Sequence, residues 1–249
     1  MRTSLSIIII TLNESRFITT CLESVAWADE IVIVDSGSTD ETIEICKAYT
    51  DRILVTDWPG PGAQRNRALE MATSDWVLAL DADEWVSPEL QDEIKTVISN
   101  PRGNVAFEMP RLSNYCGRFM QHSGWWPDRI TRLFQRSKAH FNAELIHDHM
   151  IVDGKIGRLS NHLMHIAFED IEDVLGKMNR YSTDGARVMF QHGRKSSLCK
   201  ALLHSLWAFI HTYIIRAGFL DGREGFMLAI SNVEVSYYKY LKLLLLNKK

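Results

Sequence analysis

The chain is poor in cysteine: Cys21, Cys46, Cys116 and Cys199 are its only four, widely scattered and with no Cys-x-x-Cys pair. That pattern suits free thiols in a reducing compartment better than a disulfide framework or a structural zinc site. An excess of positive charge is missing too, since 28 Lys and Arg face 31 Asp and Glu. No global basic footprint is left for nucleic acid, which is therefore not an expected partner. No Gly-x-Gly-x-x-Gly follows the first apolar run, and Gly-x4-Gly-Lys-[Ser/Thr] and His-Glu-x-x-His occur nowhere. Dinucleotide dehydrogenases, P-loop enzymes and the commonest zinc hydrolases are thereby disfavoured. There is no internal repeat and no low-complexity linker. At the N-terminus Arg2 precedes an apolar run from Leu5 to Leu12, but the run is short and meets Asn13-Glu14 instead of a cleavage site, so it reads as a strand.

What is present is a 249-residue chain, 46% hydrophobic, able to bury a full core. Ile7 to Ile10 is β-branched throughout, as suits a strand buried on both faces of a parallel sheet. Further strands are predicted at Glu30 to Asp35, Arg52 to Val55 and Trp76 to Leu80, with helices between them at Ser15 to Ala26, Thr39 to Tyr49 and Gln64 to Ala72. Such alternation specifies a doubly wound α/β fold with a mainly parallel sheet. Strand-like pieces follow around Val105 to Leu112, Thr131 to Phe134 and Met150 to Val152, and helices from Ile171 onward. The expected organisation is a catalytic domain over 1–165, divided into a donor site in 1–100 and an acceptor and base region in 101–165, with a helical C-terminal extension over 166–249.

Three strand ends carry polar groups: Asn13-Glu14, Asp35-Ser36 and Asp81-Ala82-Asp83. In open parallel sheets ligands bind beyond the carboxyl ends of the strands, so these groups should meet in one crevice. Asp-x-Asp alone is as readily a helix cap, but acids at a strand end also suit a divalent cation on phosphate oxygens. Ser38 and Glu41 have capping-box spacing, which leaves Asp35 to hydrogen-bond a base or ribose. Gly60 to Arg67 is a glycine-rich helix entry whose N-terminus and arginines suit an anionic nucleotide, with Arg67 equally explained as a solvated face.

Together, Ser6 to Glu14, Val32 to Asp40, Gln64-Arg65-Asn66 and Asp81-Ala82-Asp83 resemble, in order and spacing, the family 2 inverting glycosyltransferases of the GT-A fold. The resemblance implies that Thr11, Asn13, Glu14, Asp35 and Arg65 hold the nucleotide of a sugar-nucleotide donor. It also implies that Asp81 lies by the ribose, with a lesser expectation as a metal ligand, and that Asp83 binds Mg2+ or Mn2+ on the diphosphate.

Trp125-Trp126-Pro127-Asp128, followed by Arg132-Leu133, is the second informative block. Inverting transfer needs a carboxylate to take the acceptor's proton, and Asp128 fits the family's acid upstream of Arg-Leu. The competing reading is an Asp128–Arg132 salt bridge on a helical turn. Trp125 and Trp126 offer a stacking face to an acceptor sugar, with one of the two expected in the core. The resemblance places His147-Asp148 after the base and makes His147 a possible ligand or phosphate contact. His147-Asp148-His149 and His162 with His165 otherwise suggest a zinc hydrolase.

Leu198 to Ile215 is apolar yet carries Lys200, His204 and His211, so it reads either as an interfacial helix beside cationic flanks or as a core helix. Gly124 to Asp128 with Tyr213 to Gly225 is similar to the bacterial lipopolysaccharide core glucosyltransferases that add β-1,4-glucose to the first heptose. That branch implies UDP-glucose as donor, a lipid-linked inner core as acceptor, and peripheral contact with the cytoplasmic face of the inner membrane. Another cell-surface glycan transferase and a non-catalytic transferase-like scaffold are the alternatives, and a nucleotidyltransferase lacks its glycine-rich loop after strand one.

Overall fold

The computed structural model describes residues 3–142 and 149–248. They form two compact units, one of Met1–Arg111 with Asp128–His165, the other of Leu112–Pro127 with Ile166–Lys249.

In the first unit β1 (Leu5–Thr11), α1 (Ile18–Val25), β2 (Glu30–Asp35), α2 (Thr42–Lys47), β3 (Ile53–Val55), α3 (Pro61–Met71) and β4 (Trp76–Asp81) alternate as predicted. The strands lie in the order β3-β2-β1-β4, all parallel. Each side of this sheet is covered, which is why β1 is buried along its whole length. Ile7, Ile9, Leu78 and Leu80 pack against Ile18 and Leu22 of α1, while Ile8, Val32, Val34 and Val77 pack against Ala68 of α3. The period of two along the strands sends alternate residues to opposite layers.

After β4 come β5 (Glu84–Val86) and α4 (Pro88–Ser99), whose N-cap Ser87 Oγ accepts from Leu90 N. The sheet continues through antiparallel neighbours: β8 (Asp128–Gln135) pairs with β4, and β6 (Asn104–Tyr115) pairs with β8. Between β6 and β8 lies β7 (Arg118–Phe119). The antiparallel pair β9 (Ala139–Phe141) and β10 (Met150–Val152) stands apart as its own small sheet. β11 (Lys155–Arg158) runs parallel to β6, and β12 (Leu163–Phe168) is antiparallel to β5 with His165 opposite Glu84.

Two sequence expectations change in the first unit. α1 begins at Ile18 rather than Ser15, because the preceding loop is stapled to the start of α2: Glu14 N donates to Thr42 Oγ1 and Ser15 N to Asp40 Oδ2. The capping box at Ser38 and Glu41 does not form. Asp40 Oδ1 accepts from Thr42 N instead, and Ser38 Oγ turns to Asp35.

The second unit holds α5 (Ile171–Gln191), α6 (Leu198–Phe209), a π-helical turn at Ile210–Ile215, a 3-10 turn at Gly218–Asp221 and α7 (Gly222–Leu246). Residues 112–127 were expected with the body that ends at 165, yet they group here. The reason is packing: Tyr115 and Met120 share a core with Val174, Met178 and Leu228, and Trp125 packs on that core. The buried Asp221 carboxylate also accepts from Gln121 N, His122 N and Ser123 Oγ.

Candidate active site

β2, β1 and β4 are neighbours, so Thr11 pairs with Asp35 and Ile10 with Asp81, and the three polar strand ends meet at one edge. The ends of β1 and β4 border a cavity of about 250 Å³ lined by Thr11, Glu14, Trp58, Asp81, Asp83 and His165, among others. Thr11 Oγ1 is buried there with no hydrogen-bond partner among the described residues, an orphaned polar atom of the kind a ligand satisfies. Glu14 lines the same cavity. Asp83 is half-buried, with Oδ2 3.6 Å from His165 Nε2.

Asn13 and Asp35 serve the frame of this edge. Asn13 takes a left-handed φ of 55°, which its short polar side chain tolerates, and its Oδ1 accepts from Thr39 N at 2.8 Å. Asp35 is fully buried; Oδ1 accepts from Gly37 N at 2.8 Å and Ser38 N at 2.7 Å, and Oδ2 from Ser38 Oγ at 2.5 Å. In this arrangement the carboxylate shapes its own turn.

Gln64, Arg65 and Asn66 each tie α3 to a different element. Gln64 Nε2 donates to Ser36 Oγ after β2, Arg65 Nη2 to Asp81 Oδ1 after β4, and Asn66 brackets Phe141 through that residue's N and O. The helix can enter at this angle because Gly60 has φ 112°, a conformation side chains other than glycine's rarely adopt, with Pro61 setting the first turn. Arg67 is pinned too, its Nη2 2.9 Å from Asp57 Oδ1.

The largest electrostatic feature was only partly legible in sequence. Asp81 is gripped on both oxygens, by Arg65 at 2.6 Å and Arg132 at 2.7 Å. Burial pushes its carboxyl up, but the Arg132 and Arg65 guanidiniums overcome this and hold it well below the usual carboxylate range. Both oxygens of Asp81 are thus engaged by guanidiniums, whose charge opposes the approach of a further cation. Arg132 also meets the fully buried Glu84 at 3.4 Å, and Glu84 Oε2 accepts from Asp81 N at 3.0 Å. From Glu84 the chain of opposite charges passes to Arg111, 3.1 Å away, and from Arg111 to Asp128.

Asp128 opens β8 opposite Arg111. Arg111 Nε and Nη2 both donate to its Oδ2, at 3.0 and 2.7 Å, and among the described residues Oδ1 accepts no hydrogen bond. One oxygen is thus fixed while the other keeps its lone pairs, as a base requires. The alternative Asp128–Arg132 pair does not form: four residues along a strand span roughly 13 Å, beyond side-chain contact. A second cavity of about 490 Å³ lies among Arg65, Asp81, Arg111, Arg132 and Phe141.

In the second unit Trp125 stacks on Phe168, centroids 5.9 Å apart, and meets Tyr115 edge-on, so it is the core member of the tryptophan pair. Trp126 is half-buried. His147 lies outside the described residues. Trp58, Glu84 and Arg111 were not foreseen as site residues, and His165 was raised only with His162 as a zinc-hydrolase pair. Trp58 beside Pro59-Gly60 is visible in the sequence; Arg111 and His165 arrive through strand pairing.

Residues 6–158 match the family described as Glycosyl transferase family 2. The chain belongs to that family. As a family 2 glycosyltransferase of GT-A fold it is similar, at 31% identity over 96% of its length and 85% of the relative's, to an uncharacterised glycosyltransferase of Rickettsia prowazekii. It is 26% identical, over 96% of itself and 91% of the relative, to the lipopolysaccharide core biosynthesis glycosyltransferase LpsC of Rhizobium meliloti. The crystal structure of Staphylococcus aureus TarS 1-349 with UDP superposes with a TM-score of 0.51 at 17% identity, covering 99% of this chain and 92% of that one. This last likeness establishes the fold.

Proposed function

We propose that this family 2 enzyme moves a sugar from a UDP-sugar, with UDP-glucose the first candidate, onto the inner-core heptose of lipid-linked lipopolysaccharide at the cytoplasmic face of the inner membrane. The observation that carries the reading is Asp128 held by Arg111 on one oxygen alone, at the end of a charge chain that starts at the strand-end crevice. Similarity to LpsC, named for lipopolysaccharide core biosynthesis, supports the acceptor class. TarS, which shares the fold, is described with UDP bound, and that makes UDP the nucleotide to test first.

The nucleotide sits in the cavity of Thr11, Glu14 and Trp58, where the exposed Trp58 ring offers a stacking face. Asp83 with His165 suits Mg2+ or Mn2+, a hard carboxylate beside an imidazole. Among the described residues no group of three or more His, Cys, Asp or Glu could hold a metal ion by itself. A cation held by Asp83 and His165 would supply charge neutralisation to a departing diphosphate. Asp128 removes the proton of the acceptor hydroxyl as that oxygen bonds to the anomeric carbon from the face opposite the diphosphate. The bond from that carbon to the diphosphate oxygen breaks, its electron pair leaves with UDP, and the configuration inverts.

The test is to incubate the protein with UDP-, GDP- and dTDP-sugars and truncated core lipopolysaccharide, then read product mass and linkage. A β-linked hexose on heptose from UDP-glucose is the expected product; transfer from another nucleotide alone would replace the donor assignment.

A further inference from the structure

α6 and the π-helical turn after it are packed inside out. The residues they bury are small or polar: Ala201, Ser205 and Thr212, with Thr212 Oγ1 accepting from Asn232 Nδ2 of α7 at 3.0 Å. The bulky side chains point to solvent. Leu202 and Leu203 are 61% and 66% exposed, and Leu198, Leu206 and Trp207 are each more than half exposed. At 100° per residue these positions cover one continuous half of the helix. Beyond the turn the surface goes on through Ile214, Ile215, Phe219 and Leu220, all exposed. Soluble helices bury such a face, and monomers rarely leave one this broad uncovered.

The charge around this face has one sign. From His192 to Leu220 the sequence holds Arg194, Lys195, Lys200 and Arg216 and not one Asp or Glu, although the whole chain carries a net charge of −3. All four cations are exposed. A bulky apolar face edged by cations matches an anionic lipid surface, where the apolar side chains enter the acyl boundary and the cations meet phosphates. Lys200 and His204 lie on the flank between the bulky and the small residues, and His204 stacks on Tyr240 of α7, centroids 4.2 Å apart. The helix is therefore placed to lie in the interface plane and not to span the bilayer.

We infer that α6 with the following turn, through Leu202, Leu203, Leu206, Trp207, Ile214 and Ile215, docks this protein in-plane on an anionic bilayer. The inference rests on the preceding reading for its lipid-linked acceptor, and its test does not need that reading to hold. Full-length protein is floated with vesicles of phosphatidylcholine alone or mixed equally with phosphatidylglycerol, at low and high salt. Leu203→Glu/Trp207→Glu and, separately, Arg194→Gln/Lys195→Gln/Lys200→Gln are run beside it, with thermal melts and elution volumes as fold controls. Expected are binding to the anionic vesicles that salt weakens, release by alkaline carbonate, and at least a tenfold loss of binding in each variant. Wild-type protein that stays unbound, a doubly charged variant that binds as well as wild type, or retention after carbonate would overturn the proposal. So would a solution dimer that Leu203→Glu/Trp207→Glu makes monomeric, since a second copy would then cover the face. UDP-glucose hydrolysis, scored in the same samples without vesicles, reports on the transferase reading independently.

Discussion

The sheet of the first unit and α6 with its following turn in the second spend their large apolar side chains in opposite ways. In the first, Ile7, Ile9, Leu78 and Leu80 are sealed between α1, α4 and the sheet, and the charges gather at the strand ends, alternating in sign from Arg65 to Asp128. Along α6 and the turn after it, Ala201, Ser205 and Thr212 are buried while leucines and a tryptophan face outward. Hydrophobic content alone therefore does not say what a segment packs on. Where the bulky residues point decides it, and the outward leucines of α6 are the reason a lipid surface is proposed for that face.

The sharpest way to test the chemical half of this contrast is Asp128→Asn, which keeps the shape and removes the proposed base. Transfer should fall by about 10²–10⁴-fold, measured as initial rate with core acceptor. Arg132→Met comes next, because it strips one guanidinium from Asp81 and Glu84 at a nearly buried position. Breaking a buried ion pair costs about 3–5 kcal/mol, and denaturant unfolding should show a loss of that order. Leu78→Ala against Leu203→Ala tests the packing contrast directly: the first should cost about 2–5 kcal/mol and the second stay within about 0.5 kcal/mol. Equal losses would mean that Leu203 is not the outward-facing residue described.

The smallest expected effect is on acid stability. Asp81 is held below its unfolded pKa of about 3.9, so its contribution is complete above that value and fades as pH falls through and below it. Asp81→Asn should lower stability at neutral pH and flatten the decline between about pH 5 and 2, seen in thermal melts across pH. An unchanged acid profile would separate Asp81 from its arginines.

Much of the first unit was legible because its signals are local. The β-branched run of β1 announces a strand covered on both faces, and the polar groups at the ends of β1, β2 and β4 converge once those strands are neighbours. The charge chain was hidden because it is made by pairing across the sheet. Arg111 reaches Asp128 only through the antiparallel match of β6 with β8, and His165 reaches Asp83 only because β12 lies beside β5. The Asp128–Arg132 and Ser38–Glu41 readings failed for the same reason, as each assumed a helical turn where the chain is extended or in a loop. In the tail, apolar periodicity could name a helix but not the side it buries, and only packing on α7 separates the two faces.

The proposed reaction divides labour between the strand-end crevice, which holds the nucleotide, and Asp128, which takes the proton. Calorimetric titration of UDP with Mn2+ into wild type and Asp128→Asn tests it most directly. Dissociation constants within about twofold of each other are predicted; a loss of about tenfold, some 1.4 kcal/mol, would put Asp128 in the donor site and contradict its role as the base.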